Sequence, residues 1–157
     1  MPSTIYLETS IISYLTGRAS RNVVITAHQQ LTRQWWDMQR QQFELFVSPL
    51  VLQEAAAGNS TMARRRLEMV RGLPVLAVTP QATALAEELV QSGPLPPKAE
   101  VDALHIGTAA VHGMEYLLTW NCKHIANARM RSQIEVICRN MGYEPPVMCT
   151  PEELMEE

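Results

Sequence analysis

Glu8, Glu54, Asp102 and Asn121 are the residues of this chain whose types and placement carry the most chemistry. Glu8 follows the apolar run Ile5-Tyr6-Leu7, and Glu54 lies one turn into the helix that Ser48-Pro49 opens. Asp102 falls in the first turns of the helix after Pro94-Leu95-Pro96-Pro97, and Asn121 follows Tyr116-Leu117-Leu118-Thr119. In a parallel α/β sheet, strand ends and the starts of the following helices share one edge. All four groups can therefore converge outside the carboxyl ends of the strands, where such folds bind ligands. Converging carboxylates with no Lys or Arg beside them repel one another, and a hard divalent cation with oxygen ligands relieves that repulsion. The chemistry that fits is metal-dependent phosphodiester cleavage. Glu8, Glu54 and Asp102 would be metal ligands, and Asn121 would orient water or phosphate through its amide.

Each residue also has a plainer role to weigh. A carboxylate at the exit of a buried strand is costly without a partner. Glu8 could cap the helix starting near Ser10, yet Thr9 or Ser10 suits a cap better. Glu54 stands in a helix otherwise nearly free of charge, where it could be a lone solubilising residue. Asp102 could owe its place to the helix dipole, worth ~0.3–1 kcal/mol; Glu100, two residues before it, points elsewhere on the helix and is a secondary candidate. Asn121 could be a helix N-cap, a role compatible with the first. Lys123 could meet a phosphate. His105 shares a face with Asp102, although a core histidine held by backbone is the simpler expectation for it. Trp35, Trp36 and Trp120 could stack on bases, but core packing or a subunit interface is the default. Rival chemistries lack their motifs: there is no G-x-G-x-x-G, P-loop or G-x-S-x-G, and Cys122 near His124 in sequence does not make a catalytic pair.

The 157 residues, spanning 1–157, suit one domain with a real core, and 46% hydrophobic and 18% charged residues are ordinary for a globular protein. No stretch reaches the ~20 apolar residues of a membrane span. The N-terminus has no basic segment ahead of an apolar one, so a cytoplasmic protein is expected. Three cysteines without a C-x-x-C pair are expected to be free, buried thiols. A net charge of −3 argues against strong nonspecific nucleic-acid binding but not against an enzyme gripping a few phosphates. The basic residues Arg64-Arg65-Arg66 and those from Lys123 to Arg131 read as solvated helix faces.

Short apolar runs predict strands over Thr4–Leu7, Phe43–Val47, Pro74–Val78, Glu115–Thr119 and Val147–Cys149, each covered on both faces. Helical spacing predicts Asn22–Gln42, with Val24, Ala27, Leu31, Trp35 and Met38 as its apolar stripe, and Pro49–Ala57 capped by Ser48. It also predicts Thr61–Arg71, Gln81–Gln91 capped by Thr79, Lys98–His112 and Met130–Asn140. Strands alternating with helices make a parallel sheet with helices on both faces. Adjacent Trp35 and Trp36 cannot both face one core at a helical step of about 100°, which predicts an interface and a homodimer or partner complex.

At these residues the chain resembles a PIN-domain protein of the VapC-type toxin family. The resemblance is carried in order by Tyr6-Leu7-Glu8-Thr9-Ser10, Ser48-Pro49 through Glu54, Asp102-Ala103-Leu104-His105-Ile106, and Leu117-Leu118-Thr119-Trp120-Asn121. It covers almost the whole chain. It implies a three-layer α/β/α sandwich around a parallel sheet, Mg²⁺- or Mn²⁺-dependent cleavage of single-stranded RNA, and an antitoxin protein that occludes the site. Glu8 stands where the family usually has Asp, and Asn121 where it often has Asp. The readings left open are a degenerate domain that binds RNA or a protein without cleaving, a DNA nuclease of the same fold, and a structural subunit with an acidic rim.

Overall fold

Four short strands, each followed by helix, build the core of the molecule; the computed structural model describes residues 2–156. β1 (Ser3–Leu7), β2 (Phe43–Phe46), β3 (Tyr116–Leu118) and β4 (Val147–Cys149) form one sheet in the order β2-β1-β3-β4, with every pair parallel. Ile5, Tyr6, Leu7, Leu117 and Leu118 are fully buried, as the unbroken apolar runs require of strands covered on both faces. Seven α-helices flank the sheet: α1 (Thr9–Thr16), α2 (Val23–Met38), α3 (Pro49–Ala55), α4 (Ser60–Met69), α5 (Pro80–Gln91), α6 (Glu100–Val111) and α7 (Ala128–Asn140). α1 packs with α2, α3 and α4, and α5 packs with α6 and α7. This is the α/β sandwich expected from the alternation of strands and helices. No helix among the described residues is long and apolar enough to cross a membrane.

The local signals act as read. The Ser48 hydroxyl accepts from the Val51 N–H, and that of Thr79 from the Ala82 N–H, with Pro49 and Pro80 at the first helical positions. α5 buries Ala82, Leu85, Ala86 and Leu89 against α6. The two helices approach so closely that a Cβ on Gly107 would lie 2.5 Å from the Ala82 carbonyl oxygen. Gly113 ends the α6 region at φ 70, a backbone conformation that disfavours other residues.

Several expectations need correction. Pro74–Val78 is not a strand: a single parallel bridge joins Val47 to Val75. Two hydrogen bonds hold that edge, Val47 N–H to the Pro74 carbonyl and Leu76 N–H to the Val47 carbonyl, before the chain leaves. Pro74 has no N–H with which to extend the ladder. The predicted long helix stops at Met38 and gives way to a 3₁₀ turn, Arg40–Gln42. Its buried face keeps only part of the predicted stripe, because Trp35 is buried and Leu31 packs on the core, but Val24 and Met38 are 61% and 69% exposed while Gln29, Thr32 and Trp36 are buried. Hydrogen bonds make the polar members of that face tolerable: Gln29 Nε2 donates to the Arg18 carbonyl, and Thr32 Oγ1 donates to the His28 carbonyl. Trp36 is only 7% exposed, so neither tryptophan of the pair marks an interface. α2 packs both on α1 and on the C-terminal 3₁₀ turn Pro151–Leu154, and the Arg40 guanidinium lies 4.6 Å from the Trp36 ring centroid. Cys138 and Cys149 are buried free thiols as expected, whereas Cys122 is exposed.

Candidate active site

The carboxyl ends of the two central strands set the first half of the site. Glu8 extends β1 by one residue, its N–H donating to the Leu118 carbonyl at 3.0 Å, and Thr119 extends β3 by donating to the Cys149 carbonyl at 2.9 Å. The chain runs to β2 on one side of β1 and reaches β3 on the other. Glu8 and Thr119 therefore sit where the strand order reverses, the crevice in which open α/β sheets bind ligands. Glu8 is 6% exposed and has no cationic partner among the described residues. Hydroxyls satisfy it instead: Thr119 Oγ1 donates to its Oε1 at 2.6 Å, and Ser10 Oγ donates to the same oxygen. Glu8 occupies the N-cap position of α1 without capping it by its side chain.

Glu54 supplies the second half from the last turn of α3. Thr9 Oγ1 donates to its Oε1 at 2.6 Å, and His105 Nε2 lies 2.7 Å from the same oxygen. The hydroxyls of Thr9 and Ser10, plausible caps by sequence, are committed to the two carboxylates. His105 is fully buried on α6, and its Nδ1 lies 2.6 Å from the Tyr6 hydroxyl, which lies 2.7 Å from Ser48 Oγ. An ionised Glu54 cannot donate, so Nε2 carries the proton. In the neutral ring, Nδ1 then accepts from Tyr6, whose oxygen is left to accept from Ser48. Burial, with the charges of Glu8 and Glu54, pushes the Tyr6 phenol far above its usual range despite the Ser48 bond, so it stays protonated. For Glu54, burial raises the pKa, but the hydrogen bonds from His105 and Thr9 outweigh it and hold the carboxyl below its ordinary value. The Glu54 side chain is still 40% exposed, so this buried chain of hydrogen bonds ends at a carboxylate open to ligands.

Of the four predicted site residues, Glu8 and Glu54 come together, and the third member of the cluster is His105. Ligand atoms of Glu8, Glu54 and His105 lie within 4.8 Å of one another. Asp102, in the first turn of α6, is paired with His124: its Oδ2 lies 2.9 Å from His124 Nδ1. Asn121 Oδ1 accepts from the His124 N–H at 3.0 Å within a turn; it is not the helix N-cap weighed as its plainer role, since Asn127 caps α7, and among the described residues its amide nitrogen has no partner. Lys123 is exposed nearby in sequence, and Glu100 is exposed. Trp120 is buried, its Nε1 donating to Thr32 Oγ1 at 2.6 Å. His105 is held by side chains rather than by backbone. Its position three residues after Asp102 was the available clue; the role of Tyr6 had none, since nothing in an apolar strand run marks one ring as a relay. The hydroxyls of Thr9, Ser10 and Thr119 were legible only as neighbours of the acidic and amide positions.

The donor set suits a hard or borderline divalent cation. Two carboxylates converge at a sheet edge with an imidazole whose N–H orients one of them, and the ion-pair partners of Glu54 and Asp102 among the described residues are histidines rather than Lys or Arg. A model of the PIN domain matches residues 5–123, which include every residue of this site apart from His124. The chain belongs to the PIN domain family. A search of curated proteins finds no match. Among solved structures, a chain of "VapBC2 from Rickettsia felis bound to a DNA fragment from their promoter" has a TM-score of 0.59 at 15% identity, covering 94% of this chain and 98% of that one. At that identity the likeness concerns the fold of this PIN domain.

Proposed function

We propose that the protein is a divalent-metal-dependent endoribonuclease acting on single-stranded RNA, and the toxin of a toxin–antitoxin pair. The observation that carries the reading is the meeting of Glu8, Glu54 and His105 at the switch point of a PIN-domain sheet. A bound Mg²⁺ or Mn²⁺ would polarise a phosphoryl oxygen and make a nucleophile available at neutral pH. Glu8 and Glu54 would hold it. Thr119 and Ser10 fix the Glu8 carboxylate, and Thr9 and His105 fix that of Glu54, so both are oriented before any ligand arrives. Asp102, held by His124 of the turn before α7, is a further acidic group available to the site. The free amide N–H₂ of Asn121 can donate to a phosphate oxygen. The chain's membership of the PIN family and the VapBC2 likeness in fold support the toxin part of the reading. An antitoxin would close over apolar surface, and α2 leaves Val23, Val24 and Met38 exposed. A homodimer belongs to the same reading and is read directly by sedimentation velocity.

The deciding experiment is cleavage of single-stranded RNA by the purified protein with Mn²⁺, Mg²⁺ or EDTA, beside Glu54→Gln and Asp102→Asn. Cleavage that needs metal and is lost in Glu54→Gln and in Asp102→Asn is expected. Unchanged activity in either variant removes that residue from the machinery. One observation favours a second reading. Every candidate carboxylate is already bonded at one oxygen by the protein's own donors, as befits a degenerate domain that binds RNA or a partner without cleaving. RNA binding with no metal-dependent cleavage would establish it.

A further inference from the structure

Beside Glu8, three aromatic rings from three segments lie nearly parallel. His28 of α2 stacks on Trp120 with centroids 3.9 Å apart and planes at 11°. Tyr14 of α1 lies 6.1 Å from Trp120 at 17° and 6.3 Å from His28 at 22°. Trp120 is the fixed member: its indole N–H is bonded to Thr32, and its backbone N–H donates to Ser10 Oγ at 2.8 Å. Ser10 Oγ in turn donates to Glu8, so one hydroxyl links the backbone of Trp120 to the carboxylate that closes β1. Trp120 is buried, whereas Tyr14 and His28 are half-buried and bring the group to solvent.

The His28 ring is distinctive among the chain's four histidines. His105, His112 and His124 each have a ring nitrogen hydrogen-bonded within the protein. His28 accepts from Thr32 through its carbonyl, and among the described residues its ring nitrogens have no partner. It is a flat ring fixed on an anchored indole, with a polar edge left for a ligand.

We propose that Tyr14 and His28 form a base-stacking step, a subsite for an unpaired nucleobase flanking the phosphodiester that a cation held by Glu8 and Glu54 would engage; it rests on the nuclease reading above. Aromatic faces stack any base, and the imidazole edge adds a hydrogen bond. Bases in a duplex are already stacked and cannot enter, so the step selects single strands. With a net charge of −3, phosphate attraction is weak over the molecule as a whole, and affinity must draw on the bases.

The test is fluorescence anisotropy in EDTA, which prevents cleavage, with a short labelled single-stranded RNA of mixed sequence and its abasic ribose-phosphate counterpart. Wild type is expected to bind the intact strand more tightly. Losing a ring to alanine should weaken that binding by roughly fivefold to a hundredfold. His28→Ala and Tyr14→Ala should thus lose affinity for the intact strand but not for the abasic one. His28→Phe, which keeps the ring, should retain most of the binding. Alanine variants that match wild type on the intact strand overturn the subsite. So do variants that weaken both strands equally, or a wild type that does not distinguish the strands. A wild type that neither binds nor cleaves RNA fails at the nuclease reading itself and takes the subsite with it.

Discussion

Replacing Tyr6 by Phe removes one oxygen from a fully buried position and leaves two neighbours without it. The Tyr6 hydroxyl sits 2.6 Å from His105 Nδ1 and 2.7 Å from Ser48 Oγ, and both residues are fully buried. Each lost hydrogen bond is worth about 1 kcal/mol net, and a buried polar atom left unpaired costs ~1–3 kcal/mol. Phe keeps the ring volume, so no cavity term is added. The sum is about 2–4 kcal/mol. For a domain of this size each kcal/mol lowers Tm by about 2–4 °C, so a fall of roughly 4–16 °C is expected. The second consequence lies at the site. His105 loses the partner that fixes its ring, and Glu54 loses a fixed donor. Disturbing such supporting bonds typically costs metal sites about 10–100-fold in affinity. Thermal unfolding and Mn²⁺ titration calorimetry on wild type, Tyr6→Phe and Ser48→Ala read both effects. Ser48→Ala spares the Tyr6–His105 bond and should keep more of the Mn²⁺ affinity. A Tyr6→Phe protein that melts within about 1 °C of wild type and binds Mn²⁺ equally well would refute the relay.

Three further outcomes are expected. Glu8→Gln should lose Mn²⁺ binding by calorimetry, while Glu8→Asp keeps or raises activity; wild-type affinity in Glu8→Gln would exclude Glu8 as a ligand. Gly107→Ala should destabilise by ~1–3 kcal/mol in denaturant titration, because the new Cβ meets the Ala82 carbonyl oxygen at 2.5 Å and α5 must move; unchanged stability would mean that the helices separate freely. The Glu54 carboxyl is held below its ordinary value in the folded state, so its contribution is present above the unfolded pKa and lost as pH falls through the lower, folded one. Acid unfolding followed by circular dichroism should therefore be less steep in Glu54→Gln below the ordinary glutamate range, and equal slopes would remove the effect.

The architecture was legible because period and punctuation agree. The apolar runs at Ile5–Leu7 and Tyr116–Leu118, the Ser48-Pro49 and Thr79-Pro80 caps, and the Ala82–Leu89 stripe each have one reading, and the structure adopts it. Legibility failed where tertiary partners override local pattern. α2 buries Gln29 and Thr32 in preference to Val24 and Met38 because the Arg18 carbonyl and the Trp120 indole supply partners that sequence cannot reveal. Pro74–Val78 has the composition of a strand, but a proline at the sheet edge leaves it one bridge long.

The same distinction runs through the site. Glu8 and Glu54 could be found from sequence because a carboxylate at a strand exit or in an uncharged helix is costly enough to demand a reason. What holds them could not, because Thr, Ser and Tyr cost little wherever they stand. Yet these residues decide the geometry. Glu8, longer than the usual Asp by one bond, is tied at one oxygen by Thr119 and Ser10, which limits the freedom that its extra length brings. Its other oxygen has no hydrogen-bond partner among the described residues. A longer acid with its swing restrained can serve a metal as a shorter one does, and the comparison of Glu8→Gln with Glu8→Asp separates that case from a site that has lost its chemistry.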